Sequence, residues 1–219
     1  SGTTGNGGDI TLTAAETTAA SSRGGAIQFT AGAGTSGTEG AGGYVNIVGG
    51  VGQSHTGGSV SLASGSGVTS TSGSVILKST DAGTTGVSGS LQFTSGTTSS
   101  GASGKIKFQT GAATNGVGGA VIFSVGTSST DIGGNIIVNS GNSGVKTGGL
   151  VSLSSGTGVA TTSGHINLYT PNAGVAGISG SLNFYTGTTS AGTSGLVAVT
   201  TGSATNGKGG MLSLSVGEG

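Results

Sequence analysis

The sequence predicts an all-β chain wound as a β-solenoid, and three observations carry that prediction. A short motif returns at near-constant spacing along the 219 residues, large apolar residues alternate with small or polar ones inside each return, and glycine, serine and threonine fill the rest. Repetition comes first because a repeat array grows by adding units rather than by enlarging one core. Length alone then says little about domain count.

The motif is Gly-x-Φ-x-Φ, where Φ is apolar. Its glycines are Gly8, Gly25, Gly43, Gly58, Gly73, Gly89, Gly104, Gly119, Gly134, Gly149, Gly164, Gly180, Gly195 and Gly210, so that fourteen repeats make one array over residues 1–219. The spacing is 15 residues except after Gly8 and Gly25, where it is 17 and 18, and after Gly73 and Gly164, where it is 16. With the glycine as position one, positions three and five are aliphatic or Phe in every repeat, as in Val75/Leu77, Leu91/Phe93 and Ile106/Phe108. Period two sets those residues on one side of an extended segment and positions two, four and six on the other, the pattern of a half-buried strand. A helix would carry a glycine every few residues at about 1 kcal/mol each, which excludes it.

The second half of each repeat, such as GTTSSGAS after Phe93 or GAATNGVG after Phe108, is made of small residues. The expected repeat is therefore one coil: a strand, a glycine turn, a shorter strand of small residues and a second glycine turn. Parallel coils stacked at roughly 4.8 Å would make a rod of about 65–70 Å with a thin core into which all 28 large apolar residues point. An antiparallel meander with one strand per repeat ranks second, since strand and loop would have to keep one length while alternating direction. The longer early repeats place extra residues near Ser21–Arg23 and Thr38–Ala41, where they can bulge outward. A longer period is visible as well: residues 43–128 align without a gap on 134–219, and GSLQFTSGTTSSGAS matches GSLNFYTGTTSAGTS at ten of fifteen positions.

Composition narrows the function classes. Glycine supplies 52 residues without the strict triplet and the prolines of collagen, since Pro171 is the sole proline. Only 5% of residues are charged and the net charge is zero, so no basic surface is available for nucleic acid. Apolar residues at fixed intervals argue for order over a disordered linker. There is no cysteine for a disulfide or thiolate metal site, and no run of 18 apolar residues for a membrane span. The chain reads as a mature or excised portion of something longer. Joining Gly219 to another Ser1 would keep the repeat spacing at 17, which permits end-to-end continuation.

Site chemistry is sparse. The six acidic residues, Asp9, Glu16, Glu39, Asp81, Asp131 and Glu218, fall in different repeats, and His55 and His165 stand seven repeats apart, so no catalytic residue, cofactor site or metal site is expected. GNGGD at residues 5–9 has the look of a calcium-binding β-roll nonapeptide but occurs once, whereas calcium between coils needs an aspartate in successive coils. Position six runs Thr94, Gln109, Ser124, Asn139, Ser154 and Tyr169, which is not the threonine ladder of an ice-binding face. In parallel coils Asn167 and Asn183 would share position four and Tyr169 and Tyr185 position six, forming a patch of amides and rings suited to polysaccharide or to a neighbouring protein surface. Like residues also stack simply to stabilise a ladder. Lys105 and Lys107, outward on one strand, are expected to resist edge pairing, the commoner role, or to meet an anionic surface.

The phrases SGSLQFTSGTTSSGASG, TGAATNGVGGAVIFSVG and TDAGTTGVSG resemble the large Gly/Ser/Thr-rich tandem-repeat proteins secreted or displayed at the cell surface by diatoms and related microalgae. The resemblance implies an extracellular, structural or adhesive setting and brings no catalytic residues with it. The expected function is thus a non-enzymatic segment of an extracellular fibre, sheath or adhesin that associates end to end into filaments. The alternative is a binding module for ice or polysaccharide.

Overall fold

A computed structural model of the chain describes residues 7–218. Among the described residues there is no helix and no strand, and no apolar side chain is buried. The chain is therefore not an all-β solenoid, and the thin core expected of one is missing: Ile106 is 48% and Phe108 60% exposed. Contacts group the chain into two units, Ser1–Gln109 and Thr110–Gly219.

The physical reason lies in the small-residue tail. In a coil, positions eight to fifteen would return as a second strand, and the next repeat would begin above the start of the last. Instead the tail closes on itself. The N–H of the anchor glycine donates to the carbonyl at position eight of the repeat before it: Gly25 to Ala15, Gly43 to Gly32, Gly58 to Gly50, Gly73 to Gly65, Gly149 to Gly141 and Gly164 to Gly156, all at 2.8–2.9 Å. Each bond pinches a loop shut at its base, so nothing faces the apolar side chains where the second strand was expected.

The closure has one geometry throughout. Each of the thirteen anchor glycines from Gly25 to Gly210 presents its α-carbon to position seven of the preceding repeat, which is Ala, Gly, Ser or Thr in every case but Val125. A methyl placed on Gly104 would lie 3.5 Å from Ser95 Cβ, and one on Gly195 would lie 3.4 Å from Thr186 Cγ2. At Gly180 the contact is also bonded, because the Thr170 hydroxyl donates to the Gly180 carbonyl at 3.0 Å. Small residues at positions one and seven are thus the condition for two backbones to meet.

After the closure at Gly195 the chain runs back alongside the segment it has just left. Gly195 abuts Thr186, and the residues after it, Leu196, Val197 and Ala198, share an open cleft with the residues before Thr186, namely Asn183, Phe184 and Tyr185. In this pair of repeats position seven meets position one, and positions four to six of one line the cleft with positions two to four of the next, which is the order of neighbours running in opposite directions. In the first unit the Phe93 and Phe108 rings, both at position five, form an edge-to-face pair with centroids 6.2 Å apart, the diagonal contact that such a register brings within reach of large side chains.

Sidedness survives the change of architecture. Around Gly73, Val75 and Leu77 are 48% and 54% exposed while Ile76 between them is 76% exposed. Positions three and five therefore share one side and cover one another partly. Cross-strand hydrogen bonding does not propagate from the closures into a ladder, because segments of about five residues in a single layer lack the second layer that makes paired strands stable.

The tails follow the 91-residue duplication. In the Gly89 repeat Thr98 Oγ1 donates to the Ser100 carbonyl at 2.8 Å and accepts from the Ser100 N–H at 3.3 Å, and Gly101 follows with φ of 106°. Ninety-one residues on, Thr189 bonds the carbonyl and N–H of Ala191 at 2.9 and 3.3 Å, and Gly192 has φ of 107°. This is a threonine-centred turn ended by a left-handed residue, and glycine adopts that conformation without the clash a Cβ would bring. Among the extra residues of the first repeat, Ser21 has φ of 60° in a turn that the Ser22 N–H closes on the Ala19 carbonyl at 3.3 Å.

Candidate functional site

The cleft between the Gly180 and Gly195 repeats is the place where polar, aromatic and aliphatic groups converge. Its existence follows from the closure. Thr186 and Gly195 hold the two segments together at one end, and the segments part beyond it, so positions four to six of one and two to four of the other form facing walls. Asn183 contributes an amide, Tyr185 a phenol, and Phe184, Leu196 and Val197 the apolar surface. The walls are open to solvent and carry no charged side chain.

Of the four residues expected to share a patch, Asn183 and Tyr185 line this cleft while Asn167 and Tyr169 do not. All four are exposed. The direction of the segments accounts for the separation. Asn167 and Tyr169 belong to the Gly164 repeat, whose position seven, Thr170, meets Gly180 rather than Gly195. Position six falls at opposite ends of successive segments, so Tyr169 and Tyr185 belong to different closures. Leu196, at position two, stands beside Tyr185 and is a cleft residue that sequence reasoning missed. Its signal is present in the sequence as an apolar residue at a position that is polar or small in most repeats.

Elsewhere the ionisable groups stay apart. Among the described residues no three His, Asp or Glu side chains gather in a way that could hold a metal ion. Asp9 is exposed, and Gly5 and Asn6 of the GNGGD phrase lie outside the described residues. Local bonds of the acidic side chains are structural where they occur: Asp131 Oδ1 accepts from the Ile132 N–H at 2.7 Å, while the Asp131 N–H donates to Ser128 Oγ at 3.0 Å, which shapes a tail. Lys105 and Lys107 are exposed at positions two and four of the Gly104 repeat, on the side away from Ile106 and Phe108. No helix among the described residues is long and apolar enough to cross a membrane.

No protein-family model, no curated protein and no solved structure matches the chain at a significant level. What the described residues show is their own geometry: anchor glycines that meet position seven of the preceding repeat, and an open cleft between the Gly180 and Gly195 repeats.

Proposed function

We propose that the chain is a non-enzymatic structural protein of an extracellular or cell-surface fibre, sheath or adhesive layer. The observation that carries this reading is the uniform closure. Thirteen successive anchor glycines meet position seven of the preceding repeat in the same way, and the titratable side chains are dispersed along the array. General acid–base or metal chemistry needs groups converging on one reacting atom, whereas a material needs a constant unit. Where the closure carries a hydrogen bond, as at Gly58 and Gly164, the loop is also a small reserve of length that opens under tension at a cost of about 1 kcal/mol.

The test is assembly. Sedimentation and electron microscopy of the purified chain are expected to show fibres or sheets that grow with concentration. A monodisperse chain that stays single at high concentration and in the salt of its native setting would remove this reading.

A second reading is favoured by the cleft. An amide beside a phenol ring and aliphatic walls suits a sugar, which offers hydroxyls to the amide and C–H faces to the ring. On this reading the chain binds polysaccharide through Asn183, Tyr185 and Leu196. Retention on an insoluble polysaccharide is then expected to fall severalfold in Tyr185→Ala and to be unchanged in Tyr169→Ala, which lies outside the cleft. Equal retention of both variants would count against it.

A further inference from the structure

Three places in the sequence set glycine directly after asparagine: Asn6–Gly7, Asn115–Gly116 and Asn206–Gly207. Asn6 lies outside the described residues. The other two pairs occupy the same place in the two copies of the 91-residue duplication, in TGAATNGVGG and TGSATNGKGG. We propose that Asn115 and Asn206 are sites of spontaneous modification, at which the asparagine cyclises onto the following glycine nitrogen, loses ammonia and reopens with water as isoaspartate or aspartate. This goes beyond the structural reading and does not depend on it.

The step needs no partner but water. The Gly116 nitrogen gives its proton to water and bonds to Cγ of Asn115, the Cγ–Nδ2 bond breaks, and the leaving nitrogen takes a proton and departs as ammonia. The product is a five-membered imide, with nothing oxidised or reduced. Water then adds to one of its two carbonyls. Opening on the Cγ side gives aspartate, and opening on the backbone side gives isoaspartate, whose main chain passes through Cγ. In sum one water enters, one ammonia leaves, and a neutral amide becomes a carboxylate.

The structure meets the conditions for that attack at both pairs. The nitrogen must be uncrowded, and glycine brings no Cβ: even a methyl built on Gly116 would meet nothing within 4 Å, and one on Gly207 would meet only Ala204 Cβ at 3.9 Å. The backbone must also be free to bring the nitrogen to Cγ. Asn-Gly commonly folds into a tight hairpin turn in which both residues have positive φ, which would fix the pair, but neither residue of either pair has positive φ here. Among the described residues no hydrogen bond reaches the N–H of Gly116 or Gly207 or the amides of Asn115 and Asn206. All four residues are exposed to water. Asn142 is the contrasting case within the same unit. Its neighbour Ser143 carries a Cβ, and the Ser143 hydroxyl accepts from the N–H groups of Val145 and Lys146 at 3.4 and 2.9 Å, which holds that turn.

The place in the repeat determines the consequence. Each pair lies in a tail between two backbones that meet, Thr110 with Gly119 and Thr201 with Gly210, so the extra main-chain atom of isoaspartate enters a loop and leaves the contact at its base alone. Charge changes more than shape. With six basic and six acidic residues and a net charge of zero, reaction at both sites takes the chain to −2, and old material then differs from new by mutual repulsion.

The test is ageing of the full chain in mildly basic buffer, followed by peptide mapping with electron-transfer fragmentation, which distinguishes isoaspartate from aspartate. Isoaspartate is expected at residues 115 and 206 at a rate at least about tenfold above that at residue 142, a barrier difference of about 1.4 kcal/mol. Isoelectric focusing is expected to show the aged chain as bands stepping to the acid side of the parent value of about 6.7. Gly116→Ala combined with Gly207→Ala adds a Cβ beside each attacked amide in space that is open, so it is expected to remove most of the isoaspartate while proteolysis of the tails stays as in the parent. Reaction at residues 115 and 206 no faster than at 142 would overturn the proposal. So would a double variant that reacts at the parent rate, or aspartate without isoaspartate, which would mean direct hydrolysis and no ring.

Discussion

Phe93→Asp combined with Phe108→Asp is expected to leave the single chain nearly as stable as before and to abolish its self-association. The two rings are about half exposed and touch edge to face, so a carboxylate at either place stays in water within one chain. Its cost there is limited to the ring contacts of half-exposed side chains, about 1 kcal/mol each. Burial of these positions in the proposed assembly changes the sum, because the same carboxylates would be taken out of water with no cation opposite them. An unpaired buried charge costs several kcal/mol, and even about 3 kcal/mol weakens association more than a hundredfold. Concentration-dependent sedimentation of the double variant reads the effect, and amide exchange at the nearby closures reports on the single chain. A solenoid with a closed core predicts the reverse: collapse of the local coil in the monomer itself. Loss of the neighbouring closures in dilute, monomeric double variant would contradict an apolar side that the single chain leaves uncovered.

The second large effect is expected at the closures. A methyl at Gly58 would lie 2.9 Å from the Gly50 nitrogen, closer than real side chains approach backbone, while the Gly58 N–H is bonded to the Gly50 carbonyl at 2.8 Å. Gly58→Ala must therefore push the two stretches of backbone apart and break that bond. Gly50→Ala is the matched control, because a methyl there would meet nothing within 4 Å. Loss of a bond of about 1 kcal/mol corresponds to roughly fivefold faster amide exchange at position 58. Limited proteolysis is expected to cut the tail between residues 51 and 57 faster in Gly58→Ala than in the parent chain, with Gly50→Ala unchanged. Equal behaviour of the two variants would show that close approach at the anchor glycine does not hold the repeat shut.

Much of this architecture is written in the sequence, and particular residues show where reading it stops. The Gly-x-Φ-x-Φ motif recurs where the anchor glycines meet the preceding repeat, but the inward placement expected of positions three and five fails, since none of them is buried; around Gly73, Ile76 is only the more exposed of three exposed residues. Alternation does not encode direction, however, because the same pattern serves parallel coils and opposed neighbours. What decides direction is whether the tail returns as a strand or closes as a loop. Thr98 and Thr189 decide it locally by bonding their own backbone two residues on, a competition that serine and threonine often win against extended structure. Glycine at position eight accepts the bond from the next anchor glycine at Gly32, Gly50, Gly65, Gly141 and Gly156, but Ala15 does so as well, so the residue type alone does not mark the closure.

The patch of Asn167, Tyr169, Asn183 and Tyr185 presupposes parallel stacking, so it inherits that choice of direction. Reversing the direction assigns the rings to different closures, and of the four residues only Asn183 and Tyr185 line the cleft. Leu196 enters the cleft for the same reason, as the position-two neighbour of a position-six residue. The uncovered apolar side is hidden from sequence reasoning because a repeating Φ-x-Φ pattern states which residues seek burial and not whether the chain itself supplies the cover.

The most direct measurement for the opposed, loop-closed register is a pair of spin-label distances within one chain, taken in dilute solution by pulsed electron paramagnetic resonance. Labels at Thr94 and Lys105, position six of one repeat and position two of the next, are expected to lie within about 10 Å. Labels at Thr94 and Gln109, both at position six, are expected to lie about 15 Å apart or more, the rise of four extended residues. The reverse order, with Gln109 near Thr94 and Lys105 far from it, would contradict the opposed register.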